Sequence, residues 1–223
     1  MKILAYRDTT GDEPISVYQA IRLRERDPLN YEGRRYYHLI DRRELTAKKR
    51  VKNGVDSSSF AFADAPGGDG HGRGGMGIAH ALTQIFLRDE ANHTGLVRIA
   101  LFKREFTLEV EEARLEVTFE HAPSGRRLVA DVVYTLRDGS EGAEIFGRQL
   151  ILEVTDQHAC SLTKIRLFKE MGIAAIEFTL MSSFHIENDI AMSHDELQSL
   201  RRKIHNLCRG RLRVRKLHTL VRV

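Results

Sequence analysis

The chain has 223 residues, 42% of them hydrophobic and 30% charged, a balance that supports one sizeable core and excludes a mostly disordered polypeptide. Its formal charge of +4 and pI of about 9.1 are too modest to define a partner, and two distant cysteines without a CxxC pair argue against a disulfide framework or a cysteine-built zinc site. No apolar run reaches the roughly 18 residues of a membrane span, and the opening MKILAYRDTTGDEP is too weakly apolar for a secretory signal, so a cytoplasmic protein without a membrane partner is expected.

Residues 1–63 read as an accessory N-terminal region, in which Ile15, Tyr18, Ala20 and Ile21 at mixed spacing precede the basic, polar stretch Asp41 to Asn53. Residues 64–77, DAPGGDGHGRGGMG, are too glycine-rich to sustain helix or strand and read as a linker. They lack the GxxxxGK[ST] spacing, and the preceding apolar strand, that a phosphate cradle requires.

A core is expected over 78–180. Ile78, Leu82, Ile85 and Phe86 form the apolar stripe of a first helix, on which His80 and Gln84, four apart, share a face. Two polar residues without a third ligand do not define zinc, and surface placement is the default expectation. Period-two patterning then predicts strands at 98–110, 112–121, 127–136 and 148–155, separated by the turn-forming HAPSG and RDGSEG, hence an antiparallel meander. A short helix follows, capped by Ser161 and stopped by Gly172, with Ile165, Leu167 and Phe168 as apolar contacts. The run IAAIEFTL at 173–180 reads as a strand buried on both faces and paired in parallel after a helical crossover. The expected fold class is thus α/β with a mixed sheet, in the order helix, meander, helix, strand.

Residues 181–223 read as a basic extension: a helix over 194–208 with Leu197, Leu200, Ile204, Leu207 and Cys208 on one face, then a strand alternating cationic and apolar residues. After Glu196 no carboxylate side chain occurs. Arg201, Arg202, Lys203, Arg211, Arg213 and Arg215 make a one-sign footprint suited to a phosphate backbone, the alternative being a solvated basic face.

Three carboxylates interrupt apolar strand patterns: Asp131 in LVADVVYTL, Glu153 in LILEVTD and Glu177 in AAIEFTL. A buried ionised carboxylate requires a cation, a hydrogen-bond network or a solvent exit. A divalent metal satisfies two at once, since Mg²⁺ accepts carboxylate and carbonyl oxygens and polarises a phosphoryl group and a water. The alternative is an ion pair of Asp131 or Glu153 with Arg127, Arg148 or Lys164.

In its order of elements and residues the chain resembles the PD-(D/E)XK, restriction-endonuclease-like nucleases, most closely their competence-protein CoiA-like branch. The matching pieces are Arg127 with Ala130, Asp131 and Val132; Leu152, Glu153, Val154 and Thr155; Gln157 and His158; Lys164; and Gly172, Ile173, Ile176 and Glu177, within residues 78–180. The resemblance implies a restriction-endonuclease-like core and a nuclease hydrolysing DNA with Mg²⁺ or Mn²⁺, whose ligands are Asp131, Glu153 and the Val154 backbone carbonyl. Thr155 departs from the family pattern, which places a lysine there. Lys164 is the first candidate for the missing cation, with Gln157 or His158 as alternatives; His158 also suits a general base or a backbone-bonded loop histidine. Glu116 is a further candidate for the acidic cluster.

Loss of the usual lysine equally fits a non-catalytic module of the same fold that binds nucleic acid or a protein. An aromatic content of 7% and no tryptophan argue against an extended stacking platform, with Tyr36, Tyr37, Phe60 and Phe62 as local exceptions. Single- against double-stranded substrate, exo against endo cutting, sequence preference and self-association, including a homo-oligomer, are left open.

Overall fold

The computed structural model describes residues 3–10, 14–28, 35–39, 42–52, 55–56, 58–63, 77–101, 103–155, 159–180, 184, 192–214 and 216–219. The chain divides into two compact units, Met1–Ala81 with Ile186–Ser199, and Leu82–His185 with Leu200–Val223. Among the described residues no helix is long and apolar enough to cross a membrane.

In the first unit, β1 (Leu4–Tyr6), β2 (Pro14–Ser16), β3 (Tyr36–Tyr37), β4 (Glu44–Lys48) and β7 (Ser59–Phe62) form an antiparallel sheet in the order β2-β1-β3-β4-β7. The short β5 (Val51–Lys52) and β6 (Val55–Asp56) pair separately. Helix α1 (Val17–Arg26) starts at a capping box: Ser16 Oγ accepts from the Gln19 amide, and the Gln19 side chain accepts from the Ser16 amide. It buries Val17, Ala20 and Ile21 among Ala5, Ile15, Leu45 and Phe60. The mixed spacing read there therefore comes from short strands that alternate with this helix. Tyr36 and Phe60 stack with ring centroids 5.2 Å apart, so both belong to this core and not to an open stacking platform.

The second unit is built on a mixed sheet whose strands are β8 (Leu96–Leu101), β9 (Arg104–His121), β10 (Arg126–Leu136), β11 (Gln149–Thr155), β12 (Ala174–Thr179), β13 (Arg211–Arg213) and β14 (Lys216–Thr219). Their order across the sheet is β13-β8-β9-β10-β11-β12-β14. Four of these make the expected antiparallel meander, β8 through β11, and β12 lies parallel to β11 as a buried strand after a helical crossover. The strand expected at 98–110 is divided, since β8 ends at Leu101 and β9 returns from Arg104 after a tight turn in which Lys103 has a φ of +63°, and the strand break expected near residue 111 is absent. β9 runs on through it, pairing with β8 over Arg104 to Glu109 and with β10 from Val110 onward, and the interruption is a register shift that skips Glu111.

RDGSEG holds more than a turn, because Ser140 caps the short helix α3 (Glu141–Phe146) before Gly147 ends it. Helix α2 (Ile78–Thr94) stops at Gly95, whose φ of +67° suits glycine. Helix α4 (Leu162–Glu170) is capped by Ser161 and stopped at Gly172, as its sequence indicates. Helix α5 (His194–Arg209) opens on a second capping box, between Ser193 and Glu196.

Of the C-terminal segment read as an extension, 186–199 belongs to the first unit, and the part after α5 is built into this sheet. Instead of one strand it contributes β13 beside β8 and β14 beside β12, at opposite ends of the strand order. Two residues join them, so Arg213 and Lys216 lie within roughly 11 Å of each other. A flat sheet would separate its edge strands by about 29 Å, so this one curls until its edges approach.

Leu167 and Phe168 of α4 pack on Leu128, Ala130, Val133, Ile151 and Ala175. Ala130 and Val133, three apart on one strand, reach the same cluster, which strict alternation forbids. β10 therefore changes face at Asp131 and Val132. Across the ladder, the pairs Ala130↔Val117 and Val132↔Leu115 bracket Asp131 and Glu116, and Glu116 has a φ of +49°, uncommon for a side chain of its kind.

Candidate functional site

The face change in β10 coincides with a fork between β10 and β11. Their ladder runs from Thr135↔Gln149 to Val132↔Leu152 and then ends. Beyond it, side chains replace the backbone partners: the Val154 amide donates to Asp131 Oδ2 at 2.9 Å, and the Asp131 amide donates to Glu153 Oε1 at 3.4 Å. These reciprocal bonds hold two carboxylates together at the point where the strands part.

Lys164 completes the cluster from α4. Its ammonium lies 2.5 Å from Glu153 Oε2, and its stem runs toward the Phe168 ring, with Nζ 5.8 Å from the ring centroid. Ser161 Oγ accepts the Lys164 amide, so the cap fixes the backbone from which this side chain leaves. Glu153 is buried and Asp131 and Lys164 are half-buried. Burial, reinforced by the neighbouring Asp131 charge, pushes the Glu153 carboxyl up to about 7, with Lys164 pulling the other way. The Cys160 thiol, just before the cap, is pushed up to about 12 chiefly by burial and then by Glu153, so it is not a thiolate nucleophile at neutral pH.

Glu177 lies beside Glu153 in the parallel register of β11 and β12 and is equally buried. Its Oε2 lies 3.0 Å from His218 Nε2 on β14 and accepts the Cys160 amide at 3.4 Å, while Thr155 Oγ1 lies 3.5 Å from Oε1. Thr155 also lies 3.0 Å from Thr179 Oγ1, so it belongs to the Glu177 cluster. His218 had no signal in the sequence beyond its place in an alternating strand, since its register to β12 arises only from sheet pairing.

Asp131, Glu153 and Lys164 thus come together, with Val154 contributing its amide and Glu177 adjoining. Glu116 neighbours Asp131 by register. Gln157, His158 and Arg215 lie outside the described residues, as does the glycine-rich linker up to Met76. The expected surface placement of the α2 pair is corrected: Gln84 is fully buried and His80 half-buried, because α2 is apolar around most of its circumference. Arg127 and Arg148, weighed as partners of the two acids, instead bind Glu120 at 3.1 Å and Glu111 at 3.0 Å on exposed strand faces. Arg202, Lys203, Arg211 and Arg213 are exposed and Arg201 half-buried, with Arg211 paired to Glu105. Among the described residues no group of three or more His, Cys, Asp or Glu side chains is arranged to hold a metal ion.

No family model, curated protein or solved structure matches the chain.

Proposed function

We propose that the chain is a metal-dependent nuclease that hydrolyses phosphodiester bonds in DNA, on a restriction-endonuclease-like core spanning 78–180. The observation that carries this proposal is the convergence of Asp131, Glu153 and Lys164 at the fork between β10 and β11. An acid pair with a lysine at its side suits metal-assisted phosphodiester hydrolysis, and here the lysine comes from α4 in place of the strand position taken by Thr155.

The donor set fits Mg²⁺ or Mn²⁺. Burial and the Asp131 charge raise the cost of ionising Glu153, which a hard divalent cation relieves, and both carboxylates offer oxygen ligands. Val154 supports this fit: its amide faces Asp131, and in an extended strand the carbonyl of a residue faces the same edge as its amide. When bound there, the metal polarises a phosphoryl oxygen and a water. Lys164 places positive charge where charge builds on the phosphate, and its contact with Glu153 keeps it poised without substrate. Exposed Arg202, Lys203, Arg211 and Arg213 supply phosphate contacts that set affinity and not sequence.

The alternative is a nuclease-fold module that binds nucleic acid or a protein partner without cutting. Lys164 already neutralises Glu153, and Thr155 is tied into hydrogen bonds, an arrangement that serves as a structural ion pair as well. Incubation with Mn²⁺ and linear, circular and single-stranded DNA separates the two. Cleavage lost in Asp131→Ala supports the nuclease; intact DNA of all three forms, with salt-sensitive binding, supports the module.

A further inference from the structure

We propose that Glu177, held by His218, is a positioning residue that fixes the start of α4 and thereby the ammonium of Lys164 on Glu153; this rests on the nuclease assignment for its catalytic consequence. Glu177 is buried at 2% exposure, and its side chain meets donors from three separate segments. They are Thr155 on β11, the Cys160 amide at the approach to α4, and His218 on β14. His218 makes its contact through Nε2, 3.0 Å from Glu177 Oε2.

Lys164 follows Cys160 by four positions, and Ser161 between them caps the helix onto the Lys164 amide. One carboxylate therefore holds the backbone leading into the helix turn whose lysine reaches the acid pair. Its negative charge also lies at the N-terminal end of α4, where the unpaired helix amides favour an anion. His218 belongs to β14, which pairs with β12, so Glu177 links this C-terminal strand to the backbone that leads into α4. The arrangement parallels the second layer of hydrogen bonds that orients primary groups at metal centres.

The test uses the full chain. Glu177→Gln and His218→Ala are compared with wild type for steady-state cleavage of linear DNA with Mn²⁺ and, independently of cleavage, for deuterium exchange of the amides from 159 to 166. His218→Gln, which retains a donor near the Nε2 position, is the conservative control, and its exchange and rate are expected close to wild type.

Glu177→Gln is expected to lower kcat by about 10- to 100-fold with KM within about twofold, since misplacement of a group by about 1 Å costs on that order. In a Lys164→Ala background the same change is expected to cost less than about twofold, because its effect passes through Lys164. Faster exchange at 159–166 with unchanged exchange in β9 and β10 supports positioning. Unchanged exchange there, or costs that simply add in the double variant, overturns it while leaving the nuclease assignment intact. If wild type does not cleave, the nuclease assignment falls and the exchange measurement alone decides the coupling. Should Glu177→Gln not fold, His218→Ala against His218→Gln supplies the same comparison from the other side of the bond.

Discussion

Asp131 Oδ2 accepts the amide of Val154 at 2.9 Å, so a side chain takes over a hydrogen bond that the backbone of β10 would have made had the ladder continued. The carboxylate best placed to bind a cation is also the group that satisfies a strand amide at the fork. Charge and acceptor geometry at this position are therefore separable by substitution.

Asp131→Asn retains an oxygen acceptor for Val154 and Asp131→Ala does not. An unsatisfied buried amide costs roughly 1–3 kcal/mol, so the alanine variant is expected to be destabilised by that amount and the asparagine variant by less. Both are expected to lose cleavage. Urea denaturation with parallel cleavage assays checks this, and equal stability of the two variants is the adverse result.

Glu153 makes metal-free stability depend on pH. Its carboxyl is raised from 4.5 to about 7 in the folded chain, so between those values the folded state holds a proton that the unfolded state has released. Stability from this group is full below about 4.5 and declines as pH rises through about 7. Metal competes for the same carboxylate, so Mn²⁺ affinity is expected to climb over that interval. Thermal midpoints should fall between about pH 5 and about pH 8, and by more in wild type than in Glu153→Gln. Parallel curves for the two proteins would falsify the assignment.

Lys164→Ala removes the cation that offsets Asp131, so the Glu153 carboxyl is expected to rise further and cleavage to drop by about 10²- to 10³-fold, as for loss of one charge-stabilising donor. Lys164→Arg keeps the charge on a bulkier, planar head and is expected to fall between. Single-turnover rates measure it. Full activity in Lys164→Ala would move the phosphate-stabilising role to another residue, with Gln157 and His158 the next to replace.

Binding to DNA should weaken linearly in log affinity against log salt. Arg211→Gln combined with Arg213→Gln is expected to flatten that slope by about 2, roughly 0.9 for each phosphate no longer neutralised. Fluorescence anisotropy over a salt series reads the slope. An unchanged slope assigns these arginines to solvent, or for Arg211 to its pair with Glu105.

Much of the second unit is legible in the order of its residues, because the signals are local. Ser161 before an apolar pair and Gly172 after it delimit α4; the unbroken run at 174–179 marks a buried parallel strand; alternation marks the meander. Asp131, Glu153 and Glu177 stand out for the same reason, as charges in patterns that should bury apolar side chains, whereas Lys164 stands out only through the family resemblance. What tertiary structure alone decided is non-local. The two halves of β9 serve different neighbours; the C-terminal pattern divides between opposite ends of the strand order; and the face change at Asp131 turns its carboxylate toward β11. Glu177 meets His218, 41 positions away, only because β14 pairs with β12. Periodicity reports which face of a strand is dry, whereas pairing between distant strands is set by sheet order and curl, and that determines which buried charges face one another.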